Sequence, residues 1–373
     1  MNRTQTNIDK VSTPSAVTSA NMPAAQSGKP QAAKKQRKKI RFKPNKGGML
    51  ALLALILIVA VIVTAIVFLT KGIIQWVNEA KETTTTASTQ DPNKPNPLPW
   101  NNAYINEQYA NTNIPVGDLV LVNFENKYSL ADALNSKNST NLYKYDGYGT
   151  HYVLPGSDTR VNNTILQNLI QMVTGLVDAD PSGTFKTTTD KLYITGAYRD
   201  IALQTTLNGN NPQQYPELPE YTEHHTGLAV DLKIMSNSAT VSLRESEYEW
   251  LEAHCAEYGF VFRYDASKSA LTGIADEPYH LRYVGVPHAT YMTEHDLCLE
   301  EYLELLRTSH RYDQTPLEIT VGDQEYLVYY VAANTADGAN FTSVPVPPSS
   351  EGTKTISGDN MNGFIVTVTK TAK

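Results

Sequence analysis

Cysteine is almost missing from this 373-residue chain: Cys255 and Cys298 are the only two, and they do not form a C-x-x-C pair. That disfavours a zinc–thiolate centre. Two readings of the pair stay open, a bridge closing a loop of about forty residues or two separate buried thiols acting as small hydrophobes. Internal repeats are also absent, which sets aside a repeat array. Charge is absent from one long stretch, Gly47–Thr70 (GGMLALLALILIVAVIVTAIVFLT). No A-x-A-like site follows it, and it is too long and too far from the N-terminus for a cleaved signal peptide. Basic residues become scarce beyond it: from Lys71 onward twenty Lys/Arg face thirty-seven Asp/Glu, whereas residues 1–46 carry eleven Lys/Arg and one Asp. The net charge of -7 therefore averages two environments and describes neither.

The uncharged stretch predicts a transmembrane helix. Its length, about 36 Å as a helix, exceeds a hydrocarbon core of about 30 Å, and a helix satisfies its own backbone groups in lipid. Eight Lys/Arg fall in KKQRKKIRFKPNK (34–46). The positive-inside rule then places the N-terminus in the cytoplasm and the large C-terminal part outside the cytoplasmic membrane. The position of this basic run against the span favours topology and anionic-lipid contact over nucleic acid.

Residues 1–46 read as a disordered basic tail, since the Ser, Thr, Ala, Gln and Pro of 1–33 leave little apolar surface to offset chain entropy. Residues 71–115, with TTTTASTQ and DPNKPNPLPW, read as an extracytoplasmic stalk. A main domain is expected over 116–310. Within it the patterning predicts strands at 118–124, 191–200, 227–234, 260–264 and 279–285. Helices are predicted over 160–176, over 243–258 behind a Ser242/Glu245 capping box, and over 297–306. Ile165, Leu169, Met172, Val173 and Leu176 form the apolar stripe of the first helix, and Leu251, Cys255 and Tyr258 share a face of the second. Residues 315–373 are β-rich with Pro, Ser and Gly breaks, and read as a small β appendage without evident chemistry.

Three stretches carry the chemistry: TGAYRDIALQ (195–204), TEHHTGLAVDL (222–232) and EPYHLRYVG (277–285). His224 and Asp231, seven residues apart, with His280 about fifty further on, offer two imidazoles and a carboxylate. That set suits zinc with one position left for water, whose pKa zinc lowers to about 7. Glu277 stands close enough to His280 to shuttle a proton from water to a leaving amine. Arg199, a permanent forked cation, is suited to a carbonyl oxygen or oxyanion. Taken singly, each histidine reads more simply as a surface or core residue. Spacing alone does not choose between His224 and His225, and His288 and His295 compete for a ligand role.

Together, Thr222, His224, Gly227, Ala229 and Asp231, followed by Glu277, Pro278, Tyr279 and His280, resemble the S-x-H-x-x-G-x-A-x-D … E-P-W-H signature of the VanY-type D-alanyl-D-alanine carboxypeptidase family. That family lies within a wider group of lysostaphin-like peptidases and hedgehog domains. Thr195, Gly196, Tyr198, Arg199 and Gln204 resemble its upstream S-G-Y-R-S-x-x-x-Q element, with Ala197 as an extra residue. The resemblance covers roughly residues 117–307. Thr222 keeps the family's hydroxyl and Tyr279 its aromatic ring, whereas Asp200 places a new charge beside Arg199. The resemblance implies an α+β fold, an antiparallel sheet carrying the metal site with helices packed around it. It implies that His224, Asp231 and His280 bind Zn2+, that Glu277 is general base and acid, and that Arg199 contacts the scissile carbonyl. Gln204, Thr222 and Tyr198 would contact substrate, and His225 would not be a ligand.

The function so implied is removal of a terminal D-Ala from peptidoglycan stem peptides by a membrane-anchored D,D-carboxypeptidase. An L,D-carboxypeptidase and an endopeptidase share the same ligands and base. A non-catalytic cell-wall binder would be expected to have lost one of them, and none is lost.

Overall fold

The structure is a computed structural model that describes residues 104–187 and 189–371. They fall in one of the two compact units into which the chain divides, residues 90–373. The expected basic tail, the 47–70 span and most of the stalk lie outside the described residues. Among the described residues no helix is long and apolar enough to cross a membrane.

In chain order the elements are β1 (Ile105–Ala110), β2 (Ser139–Asn141), β3 (Arg160–Asn162), α1 (Leu166–Ala179), β4 (Lys191–Gly196) and α2 (Ile201–Asn210). Next come β5 (Ala229–Ser236), β6 (Ala239–Val241), α3 (Glu245–His254), β7 (Phe260–Phe262), α4 (Ser269–Thr272), β8 (His280–Tyr283), α5 (Val286–Glu294) and α6 (Leu299–Ser309). The chain closes with β9 (Leu317–Val321), β10 (Gln324–Ala332), β11 (Phe341–Val346), β12 (Gly352–Gly358) and β13 (Gly363–Lys370). The expected α+β class with an antiparallel sheet holds.

The sheet that matters for chemistry runs β4-β5-β8-β7, with β6 also on β5, and every pairing in it is antiparallel. Strand β5 is central and is buried from Ala229 to Leu232. Leu192, Ile194, Leu232 and Ile234 of β4 and β5 share a core with Leu169, Met172, Val173 and Leu176 of α1. The i, i+3, i+4 spacing of that apolar stripe turns one face of α1 to the sheet. Leu251 and Cys255 join the same core and Tyr258 packs against it, as their shared helical face predicts.

Four expectations need correction. The apolar run 118–124 is not a strand, although Leu119–Val122 are buried. Instead of a neighbouring strand, the buried Arg282 guanidinium donates to the carbonyls of Asp118 and Val120, both at 2.9 Å. Helix α3 opens at Glu245, with Glu247 rather than Glu245 reaching back: its carboxylate accepts from the Arg244 N–H at 3.1 Å. The stalk does not run to 115, because β1 pairs along its length with β11.

The fourth concerns 315–373, which is β-rich as expected, in β9–β13, but shares a core with the preceding helices instead of forming a separate appendage. Leu317, Ile319, Val328, Tyr330 and Ile365 share one core with Met292, Leu299, Tyr302, Leu303 and Leu306 of α5 and α6. Buried His288 bridges the two parts, with Nδ1 2.7 Å from the Tyr302 hydroxyl and Nε2 3.0 Å from Thr367 Oγ1. Both cysteines are free. Cys255 lies in the α1 core and Cys298 sits at the head of α6. Burial pushes each thiol up to about 12, so of the two readings the separate buried thiols hold.

Candidate active site

Adjacent strands and one short turn bring the site together. In the β5–β8 ladder Asp231 stands directly opposite His280, so the two side chains share a face. His224 comes from the 3-10 turn Glu223–Thr226, which Thr222 caps by accepting from the His224 N–H at 3.4 Å. Gly227 closes the turn at φ +66°, where a Cβ would lie 2.5 Å from Leu134 Cδ2 and 2.9 Å from the Asn162 nitrogen. Both the left-handed backbone and the space demand glycine.

Three donors converge. His224 Nε2 is 3.3 Å from Asp231 Oδ2, and His280 Nδ1 is 3.0 Å from Asp231 Oδ1. All three side chains are buried, with donor atoms within 4.8 Å of one another. The ring nitrogens facing away are each committed: His224 Nδ1 lies 2.7 Å from the Ala197 carbonyl, and His280 Nε2 3.4 Å from Glu223 Oε2. Each acceptor fixes a proton on the outer nitrogen and leaves the inner one free for a metal. Ligands about 2.0–2.1 Å from a tetrahedral ion stand roughly 3.3 Å apart, so the donor set fits zinc.

The electrostatics ask for a cation. Burial works against charge on Asp231, yet the two histidines hold its carboxyl well below the usual range. Burial also opposes charge on His280, but hydrogen bonds to Asp231 and Glu223 outweigh it and raise the ring to about 10. Burial and then the Arg199 charge lower His224. His280 thus holds a proton against the Asp231 carboxylate, and a metal ion would take that proton's place.

Glu277 Oε2 is 3.8 Å from His280 Nδ1. Burial raises its carboxyl to about 7; the His280 charge pulls it down, while Glu217 and Asp231 push it up. That suits a group that must both take and give a proton near neutrality. Arg199 Nη2 donates to Asp231 Oδ2 at 2.8 Å, and its Nη1 lies 3.4 Å from Gln204 Oε1. Pro155, Tyr193, Thr195, Tyr215, Glu217 and Lys233 join these residues around a cleft of about 220 Å³.

The β4–β5 register shifts between Ile194 and Gly196, so Thr195 is the extra residue of a bulge. The bulge sets Gly196 beneath the metal carboxylate. A Cβ at Gly196 would fall 2.0 Å from Asp231 Oδ2 and 2.9 Å from Arg199 Nη2. Gly196→Ala is therefore expected to displace Asp231 and weaken zinc binding by about 10–100-fold, the range for disturbing a ligand's support. Competition with a chromophoric chelator measures this, and an affinity equal to wild type would refute it.

The remaining sequence-predicted residues fall elsewhere. Gln204 and Thr222 are fully buried at 0% exposure, leaving no surface for a substrate. Gln204 ties Arg199 to the Glu217 carbonyl, to which its Nε2 donates at 2.8 Å, and Thr222 caps the His224 turn. Both are positioning residues. The Tyr198 hydroxyl donates to the Ala131 carbonyl at 3.0 Å, away from the residues that line the cleft. His225 is not a ligand: Nδ1 lies 2.6 Å from the Arg199 carbonyl and Nε2 accepts from the Glu220 N–H at 2.9 Å. His288 is consumed by Tyr302 and Thr367, and His295 stacks on Tyr291 with centroids 4.1 Å apart.

Sequence reasoning missed Glu223, whose Oε1 accepts from Arg263 Nε at 2.8 Å and Arg282 Nη1 at 2.7 Å while Oε2 faces His280. A signal existed. Arg263 and Arg282 each interrupt an apolar strand, and a cation there needs a buried anion.

A D-alanyl-D-alanine carboxypeptidase of Enterococcus faecium is 31% identical over 252 residues, 68% of this chain and 75% of that protein. The chain belongs to the VanY family. The family model for VanY, D-alanyl-D-alanine carboxypeptidase, matches residues 162–286, which hold the whole ligand set. A second relative, a D-alanyl-D-alanine carboxypeptidase of Enterococcus faecalis, is 41% identical over 86 residues, 23% of this chain and 31% of that protein. The fold also matches a solved vancomycin-resistance D,D-dipeptidase, VanXYg, with a D-Ala-D-Ala phosphinate analogue. The TM-score is 0.55 at 22% identity, over 72% of this chain and 99% of that one. As a VanY-family protein with this buried ligand set the chain is a metallopeptidase.

Proposed function

We propose that this protein is a zinc D,D-carboxypeptidase that removes the terminal D-Ala from peptidoglycan stem peptides. We place it on the cytoplasmic membrane by a single span, with its N-terminus inside and the catalytic unit outside. The uncharged 47–70 stretch and the basic 34–46 run support the topology. The activity rests on one observation: in a VanY-family chain, His224, Asp231 and His280 converge beside Glu277 at the floor of an open cleft.

Zinc, when bound by these three residues, supplies the Lewis acidity that makes water nucleophilic at neutral pH. Glu277 takes the proton released by the attacking water and returns it to the amine nitrogen as the peptide bond breaks. Arg199, held by Asp231 and Gln204, donates to the scissile carbonyl oxygen as negative charge grows on it. Gln204 and Thr222 act through Arg199 and His224 respectively.

The direct test incubates the zinc-loaded full chain with pentapeptide and tetrapeptide muropeptides and reads products by mass. Loss of one alanine from the pentapeptide supports the D,D reading, and loss from the tetrapeptide alone reassigns the enzyme as L,D. No cleavage of either, with one zinc per chain verified, would remove the exopeptidase reading.

A further inference from the structure

Cleavage of the last residue alone requires recognition of the free carboxylate that an internal residue lacks. The cleft is a poor place for one, because Glu217, Asp231 and Glu277 already line it. Its cations are Arg199 and Lys233. Arg199 is committed to Asp231 at 2.8 Å. Lys233 forms no ion pair among the described residues; its ammonium rests over the Tyr279 ring, 4.5 Å from the centroid, and the residue is half-buried.

Resting on the carboxypeptidase reading, we propose that Lys233 anchors the substrate's terminal carboxylate and so makes the enzyme an exopeptidase. Position and direction carry this. Lys233 lies two residues along β5 from Asp231, so both point from one face of the sheet and both reach the cleft. Two residues of strand span about 7 Å, a gap that one extended substrate residue of about 3.6 Å and a four-carbon lysine stem close together. The direction follows from the general acid. Glu277 must stand beside the departing amine; Tyr279, two residues on, carries Lys233 over its ring. Lys233 therefore stands on the leaving-group side, where the departing D-Ala presents its carboxylate. Arg199 lies across Asp231 with Gln204 and Tyr215, suited to the carbonyl oxygen. The aromatic ring beneath the ammonium favours the cation without neutralising it, leaving its N–H donors for an incoming anion.

The test compares the zinc-loaded full chain with Lys233→Met, which keeps the stem over Tyr279, and Lys233→Arg, which keeps the charge. Substrates are an acyl-L-Lys-D-Ala-D-Ala peptide and its C-terminal amide. Wild type is expected to prefer the acid. Lys233→Met should raise KM for the acid by about 10–100-fold, the value of one charged hydrogen bond. It should leave kcat and turnover of the amide little changed, and Lys233→Arg should restore most of the preference. Equilibrium binding of the uncleaved acid and amide to metal-free protein should show the same loss of discrimination. If Lys233→Met still prefers the acid, or wild type cleaves acid and amide alike, the anchor is refuted and a peptidase remains. If wild type cleaves neither, the carboxypeptidase reading falls and the anchor falls with it.

Discussion

Replacing Glu277 by Ala is expected to lower kcat by about 10²–10⁴-fold, the contribution of a positioned acid–base group, while zinc content stays at one per chain. Glu277 is not among the three converging donors; it stands 3.8 Å from His280 Nδ1, beside the ligands. Removing it takes away the proton carrier and leaves the cation's ligands in place. KM should change little, since no ground-state contact to the peptide is assigned to it, and a loss confined to kcat marks a group used in the transition state. Steady-state kinetics with metal analysis on the same sample checks both halves. Full activity in the variant would sink the acid–base assignment, and loss of zinc would make Glu277 part of the metal's support instead.

The second large effect is expected at Glu223, which no substrate touches. Its carboxylate is fully buried between Arg263 and Arg282, each also wholly buried, and faces His280 Nε2. Arg263 has a second partner in Glu300, at 2.7 Å, whereas Arg282 otherwise relies on carbonyls. Glu223→Gln keeps the shape but leaves Arg282 without a carboxylate, which should destabilise the fold by about 3–5 kcal/mol. It also weakens the acceptor that fixes the His280 tautomer, so zinc affinity should fall by about 10–100-fold. Burial resists the Glu223 charge, but the two guanidinium groups outweigh it and hold the carboxyl well below the usual range.

A carboxyl depressed in the folded state stabilises above its unfolded pKa, about 4.3, and that contribution is lost as pH falls below it. Wild-type stability should therefore decline below about pH 4.3 more steeply than that of Glu223→Gln, whose amide does not titrate. Denaturant titrations at pH 7 and at two acidic values test this. Parallel pH profiles would show that the Glu223 charge contributes no stability.

Much of the site was legible in the chain. Spacing and chemistry nominated the His224/His225 pair, Asp231, His280, Glu277 and Arg199, because a metal needs particular atoms and those residue types supply them, and the resemblance to the VanY-type family singled out His224. Residue type is a property of sequence, and so is the apolar period that placed α1 and the central strands. Legibility ended wherever the answer depended on what lies across space. Gln204 and Thr222 carry side chains suited to substrate, but only packing shows that both are sealed beneath the cleft with their polar atoms engaged. The apolar run at 118–124 has the composition of a strand, yet its carbonyls meet a guanidinium from 160 residues away.

By itself the sequence supplied the ligand types and a charge asymmetry around an uncharged 24-residue stretch, since composition and local period are written along one dimension. The expectation of an α+β class and of an acid–base role for Glu277 came through the chain's resemblance to the VanY-type family. Tertiary structure alone decided which nitrogen of each histidine faces the metal, through Ala197 and Glu223. It also decided that 315–373 shares a core with α5 and α6, and that Lys233 reaches the cleft with its ammonium over the Tyr279 ring. Hydrogen-bond acceptors, buried counter-charges and shared cores come from residues distant in the chain, and only the folded backbone brings them within a few ångströms.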